Sequence, residues 1–209
     1  MYKFFRWRNK DRRVEEGVTS YRKAKLKLEI LNIKKGMKTF VITAPEKENG
    51  VYTFTCMIAK IFAEEGKKVL VIDTDYEGAN IHHHLQLEKR PSDDSMLDNR
   101  ISPLIYKSHL KNLYVVPAKV LYSEYSEKEN CIDSLKLLFE NSHKEFDIVL
   151  INAMRFNENA TTQLLSSLCD GVIFMIQKEY TRKSKLYETR SIAEGLSVRV
   201  IGFAMNNTR

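Results

Sequence analysis

The chain has 209 residues, 43% of them hydrophobic, and a formal net charge of +7, so one substantial core is expected, in a single α/β domain with a basic N-terminal extension. No apolar run approaches the roughly 20 residues a bilayer-spanning helix needs. Three scattered cysteines, Cys56, Cys131 and Cys169, sit in apolar surroundings without paired metal spacing, as small buried side chains in a reducing compartment do. The opening MYKFFRWRNK has no apolar stretch before a small-residue cleavage site and reads as no secretory signal, so the cytoplasm is the expected compartment. Charge is unevenly placed: residues 1–38 hold 13 Lys/Arg against 4 Asp/Glu, and residues 39–209 hold 21 against 23. Residues 1–17 are therefore read as a basic, aromatic segment and 18–209 as the domain. Lys3, Arg6, Arg8, Lys10, Arg12 and Arg13, interleaved with Phe4, Phe5 and Trp7, suit anionic lipid headgroups or an acidic partner. Arg22 and Lys25 on the following helix are candidates for the same surface. A solvated basic end is the plainer alternative, and nucleic acid the weakest of the three.

From Val18 to about Ile33, Tyr21, Ala24, Leu28 and Leu31 recur at helical spacing, and the helix is expected to end near Gly36. TFVIT at 39–43 reads as a buried strand. A polar segment, APEKENG, precedes a second helix bearing Phe54, Met57, Ile58, Ile61 and Phe62, which should stop at Gly66. VLVID (69–73), LYVVP (113–117), FDIVLI (146–151), GVIFMI (171–176) and VRVIGFAM (198–205) are further apolar strands of the kind covered on both faces. Helical periodicity recurs over 130–142, 159–168 and 181–196, whereas 88–103 and 118–130 are polar and read as surface loops or short irregular helices. Alternating strands and helices predict a doubly wound, mostly parallel sheet flanked by helices, with ligands beyond the carboxyl ends of the strands.

The first strand, polar turn and helix are where a phosphate-binding loop would sit, because N–H groups at a helix start form an anion site. Such a loop needs G-x-x-x-x-G-K-[ST], but the segment here is Pro45-Glu46-Lys47-Glu48-Asn49-Gly50-Val51-Tyr52-Thr53. VITAPEKENGVYTFTCMIAKIFAEEGKKVLVIDTD, LYVVPA, FDIVLINAMRF, CDGVIFMIQKEYTRKSKL and RVIGFAMN resemble, in order, segments of the bacterial tyrosine autokinases of capsule and exopolysaccharide synthesis, over roughly residues 18–207. The resemblance implies a P-loop ATPase fold, with ATP and magnesium in intact members. It also sets Val51 where that family has the phosphate-binding Lys, Tyr52 where it has the magnesium-binding Ser or Thr, and Asn152 where it has the acidic residue of the second Walker strand. Glu48 brings a carboxylate where the family has glycine. The degenerate nucleotide loop is thus Glu48, Asn49, Gly50, Val51, Tyr52 and Thr53, with Asn152. Asp73 and Asp75 match the family's extra aspartate motif and are the remnant catalytic candidates, with capping of the next turn as their structural alternative.

Three successive histidines, His82, His83 and His84, cannot form one tetrahedral face unaided, so no metal site is expected. Tyr122–Glu127 reads as an exposed acidic loop. The family's ring-forming E-x-x-R-x-x-R corresponds to Thr19, Arg22 and Lys25, only the first Arg being kept, which weakens that route to a homo-oligomer. The last tyrosine is Tyr187, so autophosphorylation on a C-terminal tyrosine cluster, which the resemblance would imply, is not expected. The expectation is a catalytically inactive relative, without bound cofactor, acting as scaffold or regulator in surface-polysaccharide synthesis. It would lie at the inner face of the cell membrane beside a membrane-anchored chain-length regulator or an active kinase paralogue. The alternatives are a divergent ATPase or protein-tyrosine kinase using Asp73 and Asp75, a relative of the partitioning ATPases, and a nucleic-acid binder.

Overall fold

A computed structural model describes residues 4–6, 13–46, 50–78, 81–85, 87–91, 104–124, 128–178 and 180–206. The chain divides into two compact units, Met1–Phe54 with Ala153–Arg209, and Thr55–Asn152.

The first unit holds β1 (Phe4–Arg6), α1 (Arg13–Lys35), β2 (Thr39–Thr43), the first turn of α2 (Val51–Glu64), α6 (Ala160–Leu168), β8 (Gly171–Gln177), α7 (Lys183–Gly195) and β9 (Val200–Asn206). Its strands lie in the order β1-β9-β8-β2 and are all parallel, Phe4 pairing with Phe203 and Val41 with Val172. Every residue of β2 is buried, as are all but the last of β8, which is why both segments are almost unbroken apolar runs. Phe174 is packed edge-on against Phe156, 5.0 Å between centroids, and stacked with Phe203 at 5.8 Å. Where β2 and β8 begin, Asp170 accepts from the Lys38 and Thr39 N–H groups, at 2.7 and 2.8 Å, and from the Thr39 hydroxyl.

The second unit holds the rest of α2, β3 (Val69–Asp73), α3 (Ile81–His84), β4 (Leu87–Pro91), β5 (Tyr106–Ser108), β6 (Leu113–Val116), α4 (Ala118–Glu124), α5 (Lys128–Glu145) and β7 (Ile148–Asn152). Its order is β7-β3-β6-β5-β4. β7, β3 and β6 run parallel, and β5 and β4 continue antiparallel. Both β3 and β7 are buried along their whole length.

Helix ends follow local chemistry. Gly36, at φ 64°, donates to Asn32 O and closes α1. Gly66, at φ 88°, donates to Ala63 O while Lys67 donates to Phe62 O, the paired bonds that satisfy the last carbonyls of α2. Asn159 caps α6 by accepting from the Thr162 N–H.

Two readings change, and one left between loop and short helix is settled. The helix expected from Val18 starts at Arg13, and the basic segment before it contributes strand β1, too short to carry a period of its own. The polar stretch 118–130 is helical at both ends because Ala118 and Leu121 are buried and the Pro117 carbonyl accepts from Val120 and Leu121. In the other polar stretch β4 covers Leu87–Pro91, while 92–103 lies outside the described residues.

Candidate functional site

In the first unit the turn after β2 is held from beneath. Thr43 donates its hydroxyl to Met154 O, and the N–H groups of Phe156 and Asn157 donate to Ala44 O and Pro45 O. Glu46 accepts from the Arg182 N–H at 3.4 Å, and Lys47, Glu48 and Asn49 lie outside the described residues. Gly50 is buried, and a Cβ there would stand 2.7 Å from Asn206 Nδ2, so the absence of a side chain is what lets the turn pass β9. The Phe54 N–H donates to Gly50 O, the first turn of α2. A helix start of this kind favours an anion through the N–H groups of its first turn. Its first turn carries no cation: Val51 is buried, and Tyr52 and Thr53 are half-buried.

In the second unit β3 and β7 end side by side, Asp73 opposite Asn152. Asn152 Nδ2 donates to Asp73 Oδ1 at 2.9 Å, and the Asp75 N–H donates to the same oxygen at 3.1 Å. The Thr74 N–H and hydroxyl both donate to Asn152 O. Burial raises the Asp73 carboxyl from its ordinary 3.8 to about 6, against the opposing pull of the Asn152 and Asp75 hydrogen bonds. Asn152 Oδ1 is buried without a partner. One carboxylate facing a neutral amide nitrogen is a poor donor set for a hard divalent cation, which takes several oxygens in octahedral array.

Asp75, two residues on, has a different role. Its Oδ1 accepts from the N–H groups of Glu77 and Gly78, at 3.1 and 2.9 Å, folding the chain into a turn. A Cβ on Gly78 would meet Asp75 Oδ2 at 2.6 Å, so the residue type of the turn answers to the same carboxylate. Of the histidines, His84 is an exposed residue of α3, and the side chains of His82 and His83 lie outside the described residues. No group of three His, Cys, Asp or Glu is placed to hold a metal among the described residues.

The basic surface is only partly as expected. Arg22 is exposed on α1, but Lys25 is not: it is 5% exposed and bonds Glu29 at 2.8 Å. Lys25 shares the inner face of α1 with Tyr21, Ala24 and Leu28, and one helical turn places Glu29 beside it, so burial is offset by pairing. Arg6 and Arg13 belong to β1 and α1, and Lys3, Arg8 and Arg12 lie outside the described residues. Sequence reasoning missed two contacts: Asn206 over Gly50 and Asp170 beneath Thr39. Neither has a local signature, although a lone aspartate at the mouth of an apolar strand is a signal that could have suggested the second.

All-parallel buried strands, a helix entered through a glycine after β2 and an acid at the end of β3 define the class of α/β proteins built like P-loop nucleotide hydrolases. The chain belongs to the AAA domain family, whose model matches residues 38–189. It is 25% identical over 199 residues to the tyrosine-protein kinase YwqD of Bacillus subtilis, covering 90% of this chain and 80% of that one. It is 22% identical over 179 residues to the putative tyrosine-protein kinase CapB of Staphylococcus aureus, covering 84% and 77%. Among solved structures, the chimerical protein CapA2B2 superposes with a TM-score of 0.74 at 15% identity over 99% of this chain and 95% of that one. The kinase domain of the Escherichia coli tyrosine kinase ETK gives 0.74 at 14% over 92% and 76%, and the Aquifex aeolicus cell division protein MinD gives 0.60 at 23% over 82% and 70%. These likenesses show one mostly parallel, helix-flanked α/β fold through almost the whole chain.

Proposed function

We propose that the chain is a catalytically inactive relative of the bacterial tyrosine autokinases, working as a scaffold or regulator in capsule or exopolysaccharide synthesis. Its place is beside a membrane-anchored partner or an active paralogue at the inner face of the membrane. The observation that carries the reading is the amide of Asn152 bonded to Asp73 Oδ1. The atom that would serve a metal is taken by a neutral donor, and the second oxygen donor of the pair carries no charge. The uncharged first turn of α2 supports the same conclusion. A charged hydrogen bond is worth about 1.5–3 kcal/mol, and loss of one oxyanion-type donor costs roughly 100- to 1000-fold in rate, so loss of a lysine, a hydroxyl and an acid together leaves little catalysis. Neither ATP nor magnesium is a cofactor in this reading. Isothermal calorimetry with magnesium and ATP or ADP is expected to give no heat of binding, and micromolar binding would end the proposal.

A second reading draws on one specific feature, the persistence of Asp73 with a carboxyl titrating near 6 beside an unpartnered acceptor. In that reading the chain is a divergent ATPase or protein-tyrosine kinase. Transfer of labelled phosphate from ATP, abolished in Asp73→Ala, would establish it.

A further inference from the structure

Helix α1 turns one face inward. Tyr21 meets Phe54 at 5.8 Å, Lys27 donates to Ile201 O at 3.0 Å, and Ala24, Lys25 and Leu28 are buried. The opposite face carries large exposed aliphatic side chains: Leu26 is 53% exposed, Ile30 43% and Ile33 73%. Positions 26, 30 and 33 follow one another at intervals of four and three, so they form a single stripe along the helix. Arg22 and Lys23 are exposed at one end of it and Lys34 at the other, whereas Lys35, also exposed, lies on the opposite side of the helix from Leu26. Glu29, the sole acid between residues 21 and 35, is engaged by Lys25. Among the described residues no ion pair neutralises these four exposed cations.

We propose that this face of α1 is a lipid-binding surface, which lays Leu26, Ile30 and Ile33 into the headgroup–acyl boundary of an anionic membrane while Arg22, Lys23 and Lys34 meet lipid phosphates. An aliphatic stripe bordered by Lys and Arg is the composition of an interfacial helix. Its cations gain from the negative surface potential of such a membrane, and the stems of the lysines can lie along the apolar layer with their ammonium groups outward. Nucleic acid would satisfy the cations but offers the aliphatic stripe no partner, and the stripe carries no aromatic ring on which a base could stack. A second copy would satisfy the stripe, yet parallel or antiparallel pairing of two such faces sets cations against cations at both ends. The inference deepens the membrane-proximal part of the function proposed above, and it is independent of whether nucleotide binds.

The test is co-sedimentation of the full chain with phosphatidylcholine vesicles, with and without phosphatidylglycerol. The native chain is expected to pellet with the anionic vesicles and not with the neutral ones. The triple substitution Leu26→Ser, Ile30→Ser, Ile33→Ser, all at exposed positions, is expected to weaken binding at least about tenfold. Lys34→Ala is expected to weaken it about fivefold and to flatten its dependence on salt. A charge reversal, Arg22→Glu with Lys34→Glu, gives a second variant that leaves the apolar stripe untouched, and it should release the chain from anionic vesicles. Absence of vesicle binding by the native chain overturns the proposal. So does binding that the triple variant retains, which would assign it to the basic segment ahead of α1. A dimer in sedimentation velocity that the triple variant dissolves would instead make the stripe a contact between copies. Because calorimetry with nucleotide reads the loop and vesicle binding reads α1, failure of one proposal is distinguishable from failure of the other.

Discussion

Two polar pairs, one in each unit, place an aspartate at opposite ends of apolar strands. Where β2 and β8 begin, Asp170 accepts two backbone N–H groups and the hydroxyl of Thr39, itself 1% exposed. Where β3 and β7 end, Asp73, more deeply buried than the half-buried Asp170, accepts one amide and one backbone N–H on a single oxygen, next to an acceptor that has no donor. The first arrangement stabilises the fold because its donors are fully engaged; the second keeps a carboxyl in a place that burial makes unfavourable for charge. In open parallel sheets, ligand chemistry gathers at the carboxyl ends of the strands. The contrast follows that rule.

Removing the well-satisfied carboxylate should have the largest effect. Asp170→Ala deprives the buried Thr39 N–H and hydroxyl of their acceptor, and a loss of about 3 kcal/mol in urea unfolding is expected. A change below about 1 kcal/mol would mean that the bonds are replaced by water and that the two pairs are not different in kind.

Asp73→Asn should move the other way. An unfolded Asp73 releases its proton near 3.8 and the folded one near 6, so the native state holds the proton more tightly. The contribution of Asp73 to stability is then fully present below pH 3.8, is lost as pH rises through about 6, and is level above. The neutral variant escapes that loss while its Oδ1 still accepts from Asn152 and Asp75, and it should exceed the native chain by about 2 kcal/mol at pH 8 but by almost nothing near pH 4. Melting temperatures across this range would check it, and a variant less stable at pH 8 would show that the ionised form is better solvated than its burial indicates.

Gly50→Ala tests the turn at the carboxyl end of β2 and should have the smallest effect. The new methyl meets the end of the Asn206 side chain, which can shift, so a cost of about 1 kcal/mol is expected by thermal unfolding. No cost at all would mean that Asn206 does not rest on this turn.

The strands around this site were legible in advance because burial on both faces leaves an unbroken apolar run, as in VLVID and GVIFMI. Both helix stops at Gly36 and Gly66 were legible too, since a left-handed residue at a helix end favours glycine for local steric reasons. The aspartates at the end of β3 could be named but not told apart. Asp75 shapes its turn within three residues, whereas the state of Asp73 depends on Asn152, 79 positions away.

By itself, then, the sequence determined the order of strands and helices, the glycine stops, the uncharged start of α2 and the concentration of positive charge ahead of Thr39. All of these are properties of short segments, set by side-chain period, backbone sterics and composition. Only the tertiary structure decided that Phe4–Arg6 adds a strand beside β9, that Lys25 turns inward to Glu29 while Leu26, Ile30 and Ile33 face outward, and that Asp170 anchors the start of β2. The physical reason is the same in each case. Which face of an element is covered, and which polar group finds a partner, depends on segments brought together from as far apart in the chain as Phe4 and Phe203, and no local pattern carries that information.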